Sequence, residues 1–345
     1  MHVLFFQLYH VTQRGLVLTL TAVGAAFSAV SALAAARPQT CACFWSELTQ
    51  EQLSMELQAL VEQEQAATHP ALPEHFLVDL VRRPGSNSCD LPPNIAPTMS
   101  SCSVVLERPY AAHLAAQLRR CLLTMEFPRP PKIRNHQLAV LELVDCKATS
   151  EEIWLNAIRK SSSTVGLASD SCGFRSFLRQ ILVGLGPRGV LSLLGQRWTA
   201  GSCNVLPPSW EEMYAAFQQP HRLNIPGCTL TVGGRAIAKH SHRGEEGFWA
   251  RTAAQTAGGG KSDIQIRGGD TSKNAAASRV LVKLLESAAW ANTHALPGGV
   301  LVHEIRNADG YGARWAWNSH NKDSLSFRGF LEPQMAGGHE ARWRH

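Results

Sequence analysis

The strongest constraint on the fold lies near the C-terminus, where strand-length apolar segments alternate with turn signals. Gly299 to Arg306 and Tyr311 to Trp317 flank Asn307-Ala308-Asp309-Gly310. The glycine there can take the positive φ that a tight hairpin needs. Ser324 to Leu331 reads as a third strand, closed by Pro333, which has no N–H to extend a ladder. Upstream, Thr271 or Ser272 can cap a helix running through Val280, Leu281, Leu284 and Leu285 to Trp290. The expected class is therefore α+β: a helical N-terminal half, then C-terminal helices packed on a small antiparallel β-meander.

The rest of the chain reads as helices between breakers. Thr49 and Gln52 form a capping-box pattern ahead of an amphipathic stretch over 49–66. Pro109 can open a helix through Leu114, Leu118 and Leu122, and Ser150 can cap one before Glu151 and Glu152. Residues 83–99 and 126–132 are rich in proline and interrupt this half, so 46–170 is expected to be a helical region with Pro-rich linkers. Phe174, Phe177, Leu178, Ile181, Leu182 and Leu185 trace a helix stripe ended by Gly186-Pro187, and Val190 to Trp198 continues as a second apolar helix. Ser209 caps a short helix over Trp210 to Phe217, Thr229 to Val232 reads as a strand, and 235–243 returns to helix. Residues 252–272 are Gly/Ser/Thr-rich and read as a mobile insertion. Residues 174–345 are expected to form one basic domain.

Residues 1–45 stand apart. An apolar run from Leu16 to Ala36 contains Ala32-Leu33-Ala34, an A-x-A cleavage pattern, and no acidic residue precedes Glu47. A signal peptide, an organellar presequence and a single-pass anchor all fit, so any membrane contact is expected through this segment alone. Nine cysteines, an odd number scattered over the chain, do not form a disulfide framework.

Charge narrows the choice of partner. The net charge is +6, and from Phe174 onward 20 Lys+Arg face 12 Asp+Glu, with Arg outnumbering Lys. Arginine's planar fork suits carboxylates and phosphates. An anionic small molecule or a nucleic acid is thus the expected partner, with no protein partner indicated.

Three constellations carry possible chemistry. Gly233-Gly234 opens a helix whose bare N–H groups, with Arg235 and Lys239 one turn apart, suggest an anion cradle. His240 and His242 form an H-x-H pair, but on a helix the two rings diverge by about 200°. With neither HExxH nor zinc-type Cys/His spacing, no metal site is expected and no cofactor is indicated. The meander places Glu304 and Arg306 on one strand face, Arg314 on the next strand and Arg328 on the last. Those charges suit a polar cleft, or equally a set of cross-strand ion pairs.

Three functional readings follow. The first is binding of an anionic or phosphorylated ligand by Gly233, Gly234, Arg235, Lys239, Arg306, Arg314 and Arg328. The second is a hydrolase or phosphoesterase in which His240 or His242 transfers a proton and Glu304 or Glu332 orients it. The third is an interaction scaffold built on the helical half.

Finally, GYGARW (310–315), FRGFLEPQM (327–335) and GHEARWRH (338–345), with the stretch from Leu230 to Trp249, resemble an uncharacterised eukaryotic protein family. That resemblance implies a unit over the C-terminal half and carries no site residues.

Overall fold

The computed structural model describes residues 48–83, 104–128, 144–162, 171–199, 201–222, 225–240, 248–253 and 268–333. The run at 1–45 lies outside these residues, as do His242 and most of the Gly-rich stretch. No described helix is long and apolar enough to cross a membrane.

Helices come first in the chain: α1 (Gln50–Gln65), α2 (Glu74–Val81), α3 (Tyr110–Thr124), α4 (Val144–Ser162) and α5 (Ser171–Leu193). The Thr49 capping box forms with both reciprocal bonds. Leu53, Leu57, Leu60 and Val61 then bury one face of α1 against α3 and α5. Two acids also face inward on α1 and are paired: Arg175 donates to Glu56 at 2.7 Å and Arg179 to Glu64 at 2.8 Å. Gly186 and Pro187 kink α5, and Gly186 sits at φ 59°.

The second group comprises α6 (Trp210–Gln218), α7 (Val232–His240), α8 (Phe248–Ala253) and α9 (Asp270–Glu286). These pack on one face of an antiparallel sheet in the order β1-β2-β3-β4: Ala288–Leu296, Val300–Asn307, Gly312–Asn318 and Asn321–Leu331. The fold is α+β, helical first and then a sheet. Val280, Leu281, Leu284 and Leu285 of α9 meet Ala291, Ile305, Ala313 and Trp315 of the sheet in one core. Trp315 fixes α6 to the sheet by donating its indole N–H to the Met213 carbonyl at 3.0 Å.

Three local expectations change. The long helix ends at Glu286, so the stretch through Trp290 is the start of β1. Gly269 stands at its N-cap rather than Thr271 or Ser272. Thr229 to Val232 is not a strand; only an isolated bridge joins Thr231 to Pro220. The stripe over 174–194 buries in the same cluster as α1 to α3. Val104 and Val105 join the sheet-side cluster in turn. Arg108 clamps the two groups by donating to Glu212 at 3.0 Å and to the Asp79 carbonyl at 3.0 Å.

Candidate active site on the outer face of the sheet

Strand alternation divides the sheet into two chemically distinct faces. Thr293, His303, Ile305, Trp315, Phe327 and Phe330 point toward the helices, where all are buried. The opposite face carries a row formed by strand register: Asn292 pairs with Glu304, Glu304 with Arg314, and Arg314 with Gly329. Direct cross-strand neighbours have Cβ atoms about 5 Å apart, and diagonal ones about 7 Å. His294, opposite Val302, is therefore the diagonal neighbour of Glu304. An acid thus sits between an amide and a guanidinium, with an imidazole beside it.

Arg306 organises this row from within. It is 1% exposed, and its Nε donates to Glu304 Oε1 at 2.5 Å. Its Nη1 donates to the Gly310 carbonyl at 2.6 Å and the Glu332 carbonyl at 3.0 Å. Gly312, its register partner on β3, leaves room for the side chain: a Cβ there would meet Arg306 Cγ at 2.8 Å and the Ile305 carbonyl more closely still. A buried charge is tolerable only when paired and fully bonded, and these contacts meet that condition. One carboxylate oxygen of Glu304 is thereby occupied.

The two histidines on neighbouring strands behave differently. His294 is half-buried, and burial lowers its pKa, opposed by Glu304 and reinforced by Arg314. His303 lies fully inside, bonded to the Thr293 hydroxyl at 3.0 Å, and burial pushes its pKa down to about 3. His303 is a neutral core residue, while His294 titrates within reach of two charges.

A β-bulge adds one more cation. Phe327 and Phe330 both enter the core although three residues apart, because the ladder shifts between Arg314 and Trp315. The extra residue leaves Arg328 exposed next to Gly329, the partner of Arg314, with Gly329 at φ 138°. A bulge of this kind re-aims a side chain.

The other residues singled out from sequence are arranged elsewhere. Gly233 and Gly234 are buried, and their lack of side chains serves packing. A Cβ at Gly233 would lie 2.1 Å from the Phe217 ring, and one at Gly234 would lie 2.2 Å from Asn274 Oδ1. The Gly234 N–H donates to Thr231 Oγ1 at 2.9 Å, so the helix start is capped internally. Asn274 in turn accepts from the Thr231 N–H and hydroxyl and donates to the Thr229 carbonyl. Arg235 and Lys239 are exposed on α7, in the helical layer on the far side of the sheet from Glu304. His240 closes α7, and its Nδ1 lies 2.9 Å from Glu332 Oε1. The rings of Trp249 and Phe330 flank it. Burial would raise the Glu332 carboxyl, but hydrogen bonding and charge from His240 outweigh it and hold the pKa below the ordinary value, helped by the Trp249 indole. The structure therefore unites Glu304, Arg306 and Arg314, with Arg328 alongside. It does not bring Gly233, Gly234, Arg235 or Lys239 to them, and it pairs His240 with Glu332 rather than Glu304.

Sequence reasoning missed His294 and Asn292 because it placed Trp290 at the end of a helix. The alternation Asn292, His294 beyond that tryptophan was the available signal. Among the described residues, no group of three or more His, Cys, Asp or Glu is arranged to hold a metal ion.

No curated protein and no solved structure matches the chain. Residues 223–332 match the family model of the CdiA C-terminal tRNase toxin domain, a stretch holding α7 to α9 and all four strands. Residues 223–332 are thus similar to a known family, while the likeness to a eukaryotic family is not confirmed. The match overturns simple anion binding as the principal reading and favours the hydrolase alternative. Its matched stretch contains the complete Glu304 row, and this chain is, over those residues, similar to a tRNase toxin domain.

Proposed function

We propose that the domain over residues 223–332 cleaves RNA, with tRNA as the substrate class indicated by the matched family. The observation that carries this reading is Glu304 in register with Arg314 and diagonal to His294 on one sheet face within the matched residues. Phosphodiester cleavage next to a 2′-hydroxyl needs a base, an acid and a cation for the phosphate. Glu304, with one oxygen tied to Arg306, takes the 2′-hydroxyl proton through the other. The 2′-oxygen attacks phosphorus, the bond to the 5′-oxygen breaks, and protonated His294 supplies the proton that oxygen gains. The products are a 2′,3′-cyclic phosphate and a 5′-hydroxyl. Arg314 and Arg328 stand where the phosphate's charge would be met. The basic excess of the second half supports binding of a polyanion. An immunity protein is the further partner expected of a toxin domain of this type.

Incubating the full chain with mixed tRNA and resolving the products on a denaturing gel tests this directly. Glu304→Gln and His294→Ala should each slow cleavage at least about 100-fold, the usual scale for losing a general acid or base. The new 3′ ends should carry cyclic phosphate. Intact tRNA with wild-type protein, or both variants cutting at the wild-type rate, would overturn the proposal.

A further inference from the structure

A cavity of about 200 Å³ opens where helices ahead of the 223–332 match meet the sheet. Trp317 of β3 and Leu325 of β4 line it from the sheet, and Ala215 and Ala216 line it from α6. Arg82, just after α2, adds a cation, while Glu212 and Gln219 add polar groups. Strand register and one anchoring bond make the space. Trp317 lies two residues beyond Trp315 and shares its helix-side face, where it is buried. The bond from the Trp315 indole to the Met213 carbonyl fixes α6 against that face, and the two alanines that follow leave room a larger side chain would fill.

The polar groups differ in what they have left to offer. Both Glu212 oxygens accept from Arg108 Nη2, and Oε2 also accepts the Ser209 N–H at 2.7 Å, so this carboxylate is neutralised within the wall. Arg82 is exposed, with Nη2 3.1 Å from Asp79 Oδ1, a contact that engages one of a guanidinium's five N–H donors. Arg83, also exposed, follows it. The Gln219 main-chain carbonyl accepts from the Val232 N–H at 2.8 Å, which fixes the residue. Among the described residues, neither the Gln219 side-chain amide nor the Trp317 indole N–H has a hydrogen-bond partner. The volume lies below the range of about 300–1,000 Å³ that holds drug-sized ligands, so the guest is a single ring system. Apolar walls, an amide at the edge and a cation suit a guest with apolar faces, a hydrogen-bonding rim and negative charge. A nucleotide has all three.

We infer that this cavity receives one nucleotide of the RNA substrate, its base inside and its phosphate at Arg82. The helices ahead of the match thereby share in substrate binding. The inference rests on the reading of the matched domain as one that cleaves RNA. β4 supplies the route between the two places: Arg328 is exposed beside the Glu304 face, and Leu325 packs on the helix side. They are three residues apart, about 10 Å along a strand. Among the described residues β4 pairs with β3 alone, so a polymer can pass over that border. Sites that follow a single strand engage about four or more nucleotides, enough to span it.

Ala215→Phe fills the cavity in the full chain, and Gln219→Ala removes the amide from an exposed position. For tRNA cleavage, KM should rise about tenfold in the first and about threefold in the second, with kcat changed by less than about twofold. A second readout is independent of cleavage. Azido-adenosine and thiouridine 5′-monophosphates, photocrosslinked to the wild-type protein, should label peptides containing Gln219 or Trp317. Single-stranded RNA should displace the label, and Ala215→Phe should abolish it. An absent label from a wild-type protein that cuts RNA rejects the subsite and leaves the cleavage reading intact. A label that RNA displaces, from a protein that cuts nothing, sinks the cleavage reading and leaves the subsite standing. A label that RNA does not displace, with KM unchanged in both variants, would reject RNA as the occupant in favour of a free nucleotide.

Discussion

Replacing Arg306 by alanine attacks the group on which the candidate site rests. The wild-type guanidinium is 1% exposed, its Glu304 partner is also buried, and two main-chain carbonyls depend on the same cation. Breaking a buried pair at one end costs about 3–5 kcal/mol, because the surviving charge is left without compensation. The Gly310 and Glu332 carbonyls each lose a donor as well, at about 1–3 kcal/mol apiece if they stay dry, though terms sharing one side chain do not add. A loss of about 4 kcal/mol is expected, a large part of the total stability of an ordinary domain. Urea denaturation followed by tryptophan fluorescence reads it directly. The decisive comparison is the same replacement in a Glu304→Gln background, where no charge is stranded. There the cost should shrink by about 2 kcal/mol or more. A loss below about 1 kcal/mol, or an identical loss in both backgrounds, would refute the claim that Arg306 and Glu304 form a buried, mutually dependent pair.

Three further outcomes are expected. Gly233→Ala gains about 1 kcal/mol of helix propensity but forces a methyl into Phe217, a ring itself held by Phe327 and Phe330. The net effect should be a lowered Tm, and a neutral or stabilised variant would show that the glycine pair is not there for packing. His303 stays neutral in the folded state down to about pH 3, whereas the unfolded chain protonates it near its ordinary value of 6.5. Its contribution is therefore unimpaired above that value and worsens as pH falls toward 3, at about 1.4 kcal/mol per unit. His303→Gln should flatten this part of the stability curve, and an unchanged slope between pH 6 and 4 would count against a buried neutral imidazole. His294 has a lowered pKa, so the fraction able to act as acid declines as pH rises through a value below 6.5. The alkaline limb of kcat/KM for RNA cleavage should fall there, and an enzyme fully active at pH 8 would exclude His294 as the proton donor.

Much of the sheet was legible because its signals are local. Gly310 and the alternation around it specify the β2–β3 hairpin, and the Ser209 and Thr49 caps form where their spacing places them. The failures share a physical cause, which is dependence on partners distant in sequence. Ala288, Ala289, Trp290 and Ala291 continue the apolar period of α9, and only pairing with Asn307 to Ile305 makes them a strand. Asn292 and His294 were hidden by that error. The glycine pair carries the local marks of an anion site, yet Phe217 and Asn274, approaching from two other helices, explain it. Arg306 looked like a ligand-binding side chain because its acceptors at Gly310 and Glu332 come together only after the meander has closed.

The border of the sheet at β1 also bears on contact with other molecules. There the Arg197 N–H donates to the Ala291 carbonyl and the Cys203 N–H to the Thr293 carbonyl, so fewer free N–H and C=O groups are left for another strand. The opposite border is β4, eleven residues long and, among the described residues, paired with β3 alone. A long flat border invites strand addition by a second copy. Here the bulge at Arg328 and Gly329 twists the strand out of register and puts a cation at the point where a newcomer would dock. The arginine proposed to meet a phosphate thus also guards this border, and replacing it with a β-branched residue should promote self-association, read by light scattering.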